Sequence, residues 1–189
     1  MRNNRWRQLA LVMAMMALVS GLSLPVAADP YPGVAAGTFP DGGSHMGCWV
    51  PNPATATIPD PIWQHLFSYM DVTLKAQTGI DISWTQTCSN LADMRLDDRL
   101  NDPGLFGVST CINISGTTCL GRNVSINLNT INAAAAAAGL SAATVQRYNW
   151  CHESGHSLSL GHESGCMQTG VHTDITYSAH HVTHINGQF

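Results

Sequence analysis

The chain has 189 residues, of which 44% are hydrophobic and 11% are charged, and its formal net charge at pH 7 is −4. This length and composition predict one globular domain. With only eight Lys and Arg residues, the chain gives no electrostatic reason to expect nucleic acid or an anionic membrane as a partner.

The N-terminus has the layout of a secretory signal peptide. Three arginines in "MRNNRWRQ" precede an apolar run from Leu9 to Leu24, and Val26 and Ala28 are the small residues of a cleavage site. The run is short for a membrane helix of about 20 residues. We therefore predict a signal peptide over residues 1–28 and a secreted product without a stable membrane span; a retained signal anchor is the alternative. The mature chain would carry five basic and twelve acidic side chains, a formal charge of −7.

The next part of the chain predicts a leader and the first elements of a domain. Residues 29–47 are rich in Pro, Gly and Ala and predict a flexible leader before a domain over residues 48–189. Pro61 and Gly79 are typical of the start and the end of a helix, and apolar residues recur at helical spacing between them. "IDISWTQTC" alternates apolar and polar residues and predicts a strand. "LADMRLDDRLNDPG" predicts a polar connection, with or without a helical turn.

The second half of the chain predicts further strands followed by helices. "LFGVSTCINI" and "NVSINLNTI" are strand candidates, and the alternation of Val124, Ile126 and Leu128 with polar residues favours an exposed or edge strand for the latter. "NAAAAAAG" fits either the start of a helix or a small-residue linker. Ser141 predicts the N-cap of a helix through "SAATVQRYNWCHESGHSL", and Ser178 the start of a short closing helix. This order predicts an α+β domain.

Six cysteines lie in the mature part of the chain. An even number in an exported domain of this size predicts disulfides, because the compartment is oxidising and the core is modest. Among the connectivities that six cysteines allow, we favour pairs between neighbours along the chain: Cys48–Cys88, Cys111–Cys119 and Cys151–Cys166.

The stretch "CHESGHSLSLGHESGC" contains the tetrapeptide His-Glu-Ser-Gly twice. On a helix, His152 and His156 lie one turn apart on the same face and can share one metal ion. Glu153 lies beside that face, where it cannot easily bind the ion but can reach a water molecule next to it. This is the arrangement of an H-E-x-x-H site, with two zinc ligands and a general base.

A third ligand is needed, and His162 is the candidate. It follows His156 by six residues, so on an uninterrupted helix it would point about 120° away from the other two histidines. It can join them only if the helix ends and the chain doubles back, which a residue in a left-handed conformation allows. Ser159 and Gly161 stand at the place where this is required.

"HESGHSLSLGH" is similar to the metzincin motif H-E-x-x-H-x-x-G-x-x-H, and "GCMQTG" resembles the Met-turn of that family. The match covers about 17 residues and is most like small secreted matrixin-like or snapalysin-like proteins of bacteria. The resemblance implies a zinc endopeptidase in which His152, His156 and His162 bind Zn2+, Glu153 is the general base and Met167 underlies the metal. It also implies a metzincin-like fold, in which a twisted mixed sheet packs on two main helices and a short C-terminal helix follows. We expect a monomer that acts on peptide or protein substrates.

The sequence departs from the family pattern at three positions. Ser159 stands where the family has glycine, and a left-handed serine costs roughly 1 kcal/mol. Met167 follows His162 by only five residues. Thr169 stands where some metzincins carry a tyrosine ligand. None of these departures removes a predicted ligand.

Three other functions fit parts of the sequence. "GVHTDITY" distantly resembles the aspzincin motif G-T-x-x-D-x-x-Y, which would make Asp174 the third ligand and Tyr177 a transition-state donor. A secreted binding domain, stabilised by zinc and disulfides without catalysis, is an alternative from another class. A zinc amidase acting on cell-wall or small amide substrates is a third.

The remaining candidate residues predict ordinary structural roles. We expect Glu163, in the second copy of the tetrapeptide, to be a solvated carboxylate. His172, His180, His181 and His184 are expected to be packing or surface histidines. A zinc-capping thiolate at Cys48 is a weaker alternative to its disulfide.

Overall fold

The computed structural model of this protein describes residues 44–50, 64–66, 69–85, 88, 92–115 and 118–188. The predicted signal peptide lies outside these residues, as do residues 29–43 of the predicted leader. Strand β1 (Ser44–Trp49) includes the last four residues of the segment predicted as leader, so these four residues belong to the sheet.

In the described residues the first strand is followed by a helix, then by four strands in succession, and finally by three helices. After β1 come helix α1 (Tyr69–Lys75), strands β2 (Asp81–Thr85), β3 (Met94–Asp97), β4 (Gly107–Ser115) and β5 (Thr118–Ile126), and helices α2 (Leu128–Ala137), α3 (Ala142–Ser157) and α4 (Ala179–Gln188).

The strands form one five-stranded sheet in the order β2-β1-β3-β5-β4. Neighbouring strands run parallel except for β4, which is antiparallel to β5. The described residues therefore form a mixed α/β fold with a mixed sheet, which agrees with the predicted fold class in outline. Helix α3 packs against β4, β5, α1 and α2.

Strand β3 corrects the prediction of a polar connection. Met94 and Leu96 are buried, and the strand lies between β1 and β5, where it forms hydrogen bonds on both sides. The buried carboxylate of Asp97 accepts hydrogen bonds from Arg99 Nη2 (3.2 Å) and Asn123 Nδ2 (3.1 Å). The carboxylate of Asp97 is thus satisfied within the protein, and tertiary contacts override a sequence that resembles a loop.

Strand β5 corrects the prediction of an edge strand. It lies between β3 and β4, and Ser125 is buried together with Val124 and Ile126. The edge of the sheet on this side is β4. The predicted strand also extended too far, because helix α2 begins at Leu128 and the Asn127 side chain caps it by accepting from Thr130 N.

The predicted helices are present with small changes. Residues 64–66 are helical and α1 is a π-helix, within the segment predicted as a helix; Pro61 lies outside the described residues. Helix α3 begins after Ser141, as predicted. Ser178 precedes α4, and its Oγ accepts a hydrogen bond from His181 N, the N-cap arrangement. The alanine-rich stretch belongs to α2.

Three disulfides join the predicted pairs, Cys48–Cys88, Cys111–Cys119 and Cys151–Cys166. Because thiols remain reduced in most cytosolic proteins, three disulfides indicate an oxidising, extracellular environment. Among the described helices, none is both long and apolar enough to cross a membrane.

Candidate metal centre

Helix α3 presents His152 and His156 on one face, one turn apart, as their spacing predicts. Both rings are buried, and their Nε2 atoms lie 3.1 Å apart. The ring centroids are 4.7 Å apart and the ring planes are nearly perpendicular. The two Nε2 lone pairs can therefore converge on one point.

Backbone carbonyls fix the orientation of both rings. His152 Nδ1 lies 2.9 Å from the carbonyl oxygen of Cys166, and His156 Nδ1 lies 2.9 Å from that of Leu160. Since a carbonyl only accepts, each Nδ1 carries the proton and donates it, which leaves Nε2 unprotonated in the neutral ring. This is the tautomer that a metal ligand requires.

Burial also keeps these two rings neutral. Burial is the largest cause, with a smaller effect of the neighbouring histidines, and together they lower the pKa of His152 to about 4 and that of His156 to about 3. The hydrogen bonds to Cys166 and Leu160 act in the opposite direction but are outweighed. A neutral imidazole is the form that binds metal ions.

Helix α3 ends in a Schellman motif, which reverses the chain toward the third histidine. Leu160 N donates to Gly155 O (3.1 Å) and Ser159 N donates to His156 O (3.0 Å). Ser159 has a φ of 63° and is the one non-glycine residue with positive φ among the described residues. The prediction that Ser159 adopts the left-handed conformation is thus confirmed.

The reversal brings His162 to the other two histidines. Its ring centroid lies 5.1 Å from that of His152 and 4.9 Å from that of His156. One ring nitrogen from each of the three residues lies within 4.8 Å of the other two. His162 is exposed whereas the other two are buried, so the group is open to solvent on one side.

Replacing Ser159 with glycine is expected to raise the free energy of unfolding by up to about 1 kcal/mol. The left-handed conformation costs an L-residue about 1–2 kcal/mol, and glycine avoids this cost. Part of the gain is lost, because glycine gives the unfolded chain more conformational entropy. Urea unfolding of Ser159→Gly and the wild type would measure the difference, with Ser159→Ala as the control that keeps the strain. A less stable Ser159→Gly variant would contradict a strained turn.

Glu153 lines the same cavity as the three histidines. The cavity has a volume of about 290 Å³, and its other walls come from residues 104–108, from Tyr148 and Asn149 of α3, and from Thr169 and Gly170. Glu153 is only 5% exposed, and burial raises the pKa of its carboxyl to about 8. A cation at the histidines would lower that pKa again, because it stabilises the ionised form.

Gly107, at the start of the edge strand β4, packs directly against Glu153. A Cβ atom at this position would lie 2.4 Å from Glu153 Cγ and 2.6 Å from Cδ. Only glycine therefore leaves room for the observed position of the carboxylate. Asn127 supports this part of the wall, since its N donates to Phe106 O and its Nδ2 to Asp102 O, both at 2.8 Å.

Met167, which the resemblance places below the metal, packs on helix α3 at Gly155, the residue before His156. It is fully buried, and a Cβ atom at Gly155 of helix α3 would lie 2.3 Å from its Sδ. The Cys151–Cys166 disulfide joins the residues that precede His152 and Met167. The turn therefore packs closely on the helix at a glycine and is covalently tied to it one turn away.

The alternative ligand and donor lie elsewhere. Asp174 is exposed and accepts a hydrogen bond from Gln168 Nε2 (3.2 Å), and it does not belong to the group of ligand atoms. The Tyr177 hydroxyl is buried, 2.6 Å from Tyr69 OH, and it donates to Cys151 O (3.3 Å). Cys48, the alternative capping thiolate, is bound to Cys88.

Sequence reasoning missed the residues that act through their backbone. The carbonyls of Leu160 and Cys166 orient the histidines, but every residue has a carbonyl and no side-chain pattern marks these two. Gly107 was part of a predicted strand without any role. Tyr148 was also missed; its hydroxyl donates to Gln168 O and its ring centroid lies 5.7 Å from that of His152.

The donor set fits a transition-metal ion. Three imidazoles suit zinc, copper, iron and nickel, and both buried rings expose an unprotonated nitrogen to the same point. No protein-family model matches this chain, and no curated protein is similar to it in sequence.

Proposed function

We propose that this protein is a secreted, zinc-dependent endopeptidase of the metzincin type. One observation carries the proposal: three imidazole nitrogens converge within 4.8 Å on the wall of a cavity that Glu153 also lines. A purely structural zinc site usually has four protein ligands. Among the described residues three ligand atoms converge, and the exposed His162 leaves one side of the group open. Three protein ligands and an open side favour a site that admits substrate.

His152, His156 and His162 would hold the ion through one ring nitrogen each. A bound Zn2+ supplies Lewis acidity, which polarises a peptide carbonyl and lowers the pKa of a water molecule toward about 7. Glu153 takes a proton from the water as its oxygen attacks the carbonyl carbon. The same carboxyl then donates this proton to the departing amide nitrogen.

The edge strand β4 offers a place for an extended peptide. It pairs with β5 on one side, and it begins at the cavity wall with Gly107. A substrate strand could add to the other side through backbone hydrogen bonds, which would lay its scissile bond along the cavity. The sequence predicts an exposed or edge strand at "NVSINLNTI", but the edge is β4 because β5 lies inside the sheet.

The direct test is to measure zinc content and hydrolysis of casein and of a mixed peptide library by the purified mature protein. We expect about one zinc ion per chain, loss of hydrolysis on treatment with 1,10-phenanthroline, and recovery when zinc is returned. Bound zinc without cleavage of any substrate would instead support the binding-domain alternative. Cleavage that persists after the metal is removed would reject the proposed mechanism.

Gly107→Ala is expected to lower kcat/KM by about 100-fold, because the new methyl group displaces Glu153 and small misplacements of a catalytic group have effects of this size. Zinc content should stay the same, since the three atoms nearest to the added Cβ all belong to Glu153 and none to a ligand. Gly79→Ala is a matched control, as its nearest contact would be Asn186 Oδ1 at 3.9 Å. Equal activity in the two variants would show that Glu153 does not depend on this contact.

A further inference from the structure

His162 lies on a segment with little regular structure. Helix α3 ends at Ser157, and His162, Glu163 and Ser164 are all exposed. Within this segment Glu163 N donates to Met167 O (3.2 Å). His152 and His156, by contrast, are buried on a helix, so His162 is the ligand whose position depends most on other contacts.

The side chain of Glu163 supplies such contacts. Its Oε2 accepts hydrogen bonds from Ser178 Oγ (3.0 Å) and His180 Nδ1 (3.1 Å), and it lies 3.3 Å from His181 Nε2. All three partners belong to the first turn of α4 or to its N-cap. The positive end of the helix dipole at this terminus also favours a carboxylate.

Helix α4 is itself anchored to the rest of the domain. Ile185 is fully buried, and Asn186 Oδ1 accepts from Gly79 N (2.9 Å). Just before the helix, Tyr177 N donates to Gln77 Oε1 (2.8 Å). The contacts of Glu163 thus connect the segment that carries His162 to an element held in place by buried and hydrogen-bonded groups.

The two copies of His-Glu-Ser-Gly differ in the direction of their glutamates. Glu153 lines the cavity, whereas Glu163 binds to α4. In both copies the preceding histidine belongs to the metal-ligand group. The second glutamate is exposed, as expected for a solvated carboxylate, and its Oε2 also accepts hydrogen bonds from the start of α4.

We infer that Glu163, held by Ser178, His180 and His181, is a positioning residue that fixes His162 for metal binding. The inference rests on the proposed function only in that the three histidines bind zinc. Without these contacts, metal binding would have to order the segment that carries His162. The free energy spent on this ordering would lower the metal affinity. Loss of such outer partners typically lowers metal affinity by about 10–100-fold.

The test measures zinc affinity by competition with a chromogenic chelator, together with the visible spectrum of the Co2+-substituted protein and urea unfolding of the metal-free protein. We expect Glu163→Ala to raise the zinc Kd by about 10–100-fold and to change the Co2+ spectrum. Glu163→Gln should recover part of the affinity, because its amide oxygen can still accept from Ser178. His180→Ala should weaken zinc binding less than Glu163→Ala does. The double variant with both changes should bind zinc no more weakly than Glu163→Ala alone. Stability of the metal-free protein should change little.

Asp174→Ala is the matched control, since it removes an equal negative charge from a neighbouring exposed position. An unchanged zinc Kd in both Glu163→Ala and His180→Ala would overturn the inference, and so would an equal loss in Asp174→Ala. A wild-type protein that binds no zinc would overturn both this inference and the proposed function. Zinc binding that depends on Glu163, in a wild type that cleaves no peptide, would support this inference and reject the peptidase activity.

Discussion

Replacing Glu153 by glutamine is expected to reduce hydrolysis by about 10²–10⁴-fold while leaving the zinc content unchanged. The amide has almost the same size and stays in the cavity, but it cannot take a proton, and a general base contributes about this factor. His152 and His156 keep the carbonyl partners of their Nδ1 atoms, because these belong to Cys166 and Leu160. Metal analysis and kcat/KM on the same peptide would measure the two quantities side by side.

The stability of this variant provides a second readout. Burial opposes ionisation of Glu153, so removing its charge should not lower the unfolding temperature of the metal-free protein. Asp174→Asn is the control, and it should keep both zinc and activity because Asp174 lies outside the ligand group. Full activity in Glu153→Gln would exclude Glu153 as the base. Loss of zinc in Asp174→Asn would return the aspzincin-like alternative to consideration.

Gly155→Ala is expected to lower the free energy of unfolding by about 2 kcal/mol and to weaken zinc binding. A Cβ atom at this position would lie 2.3 Å from Met167 Sδ and 3.1 Å from Tyr177 Cε1, and both side chains are buried. Overpacking of this kind costs about 1–3 kcal/mol. Displacing Met167 also moves the adjacent Cys166, whose carbonyl orients His152.

Gly187→Ala makes the same substitution in another helix, where a Cβ atom would meet nothing within 4 Å. It should raise stability by up to about 1 kcal/mol, because alanine is the better helix former. Urea unfolding of both variants measures the contrast. Adding Met167→Ala to Gly155→Ala should cost less than the sum of the two single changes, since the methyl group then has room. Similar gains in both glycine variants would show that α3 and the Met-turn are not in close contact.

The parts of the site that were predictable from sequence depend on short-range geometry. His152 and His156 are one helical turn apart in any α-helix, and the chain reversal at Ser159 is the shortest way to bring His162 beside them. The disulfides also join cysteines that are neighbours along the chain. Except for Cys48 and Cys88, which are separated by 40 positions in the sequence, the number of intervening residues limits the possible structures to a few.

The parts that were not predictable depend on long-range pairing. Strand β3 has only Met94 and Leu96 as apolar residues, and its place inside the sheet follows from partners far along the chain. In the sequence, the buried serine of β5 resembles a solvent-facing residue. Its burial follows only once β5 is known to lie between β3 and β4. The contacts of Glu163 with α4 likewise required knowing that two segments with no common pattern lie side by side.

The Cys151–Cys166 bond closes a covalent ring that contains all three histidines, Glu153 and Glu163. Because this ring persists when the oxidised chain unfolds, the three imidazoles remain at high local concentration even in the denatured ensemble. Zinc can then bind the denatured chain as well as the native one, and ligands that bind both states stabilise the fold less than their native affinity would suggest. The ring thus lessens the dependence of folding on metal supply.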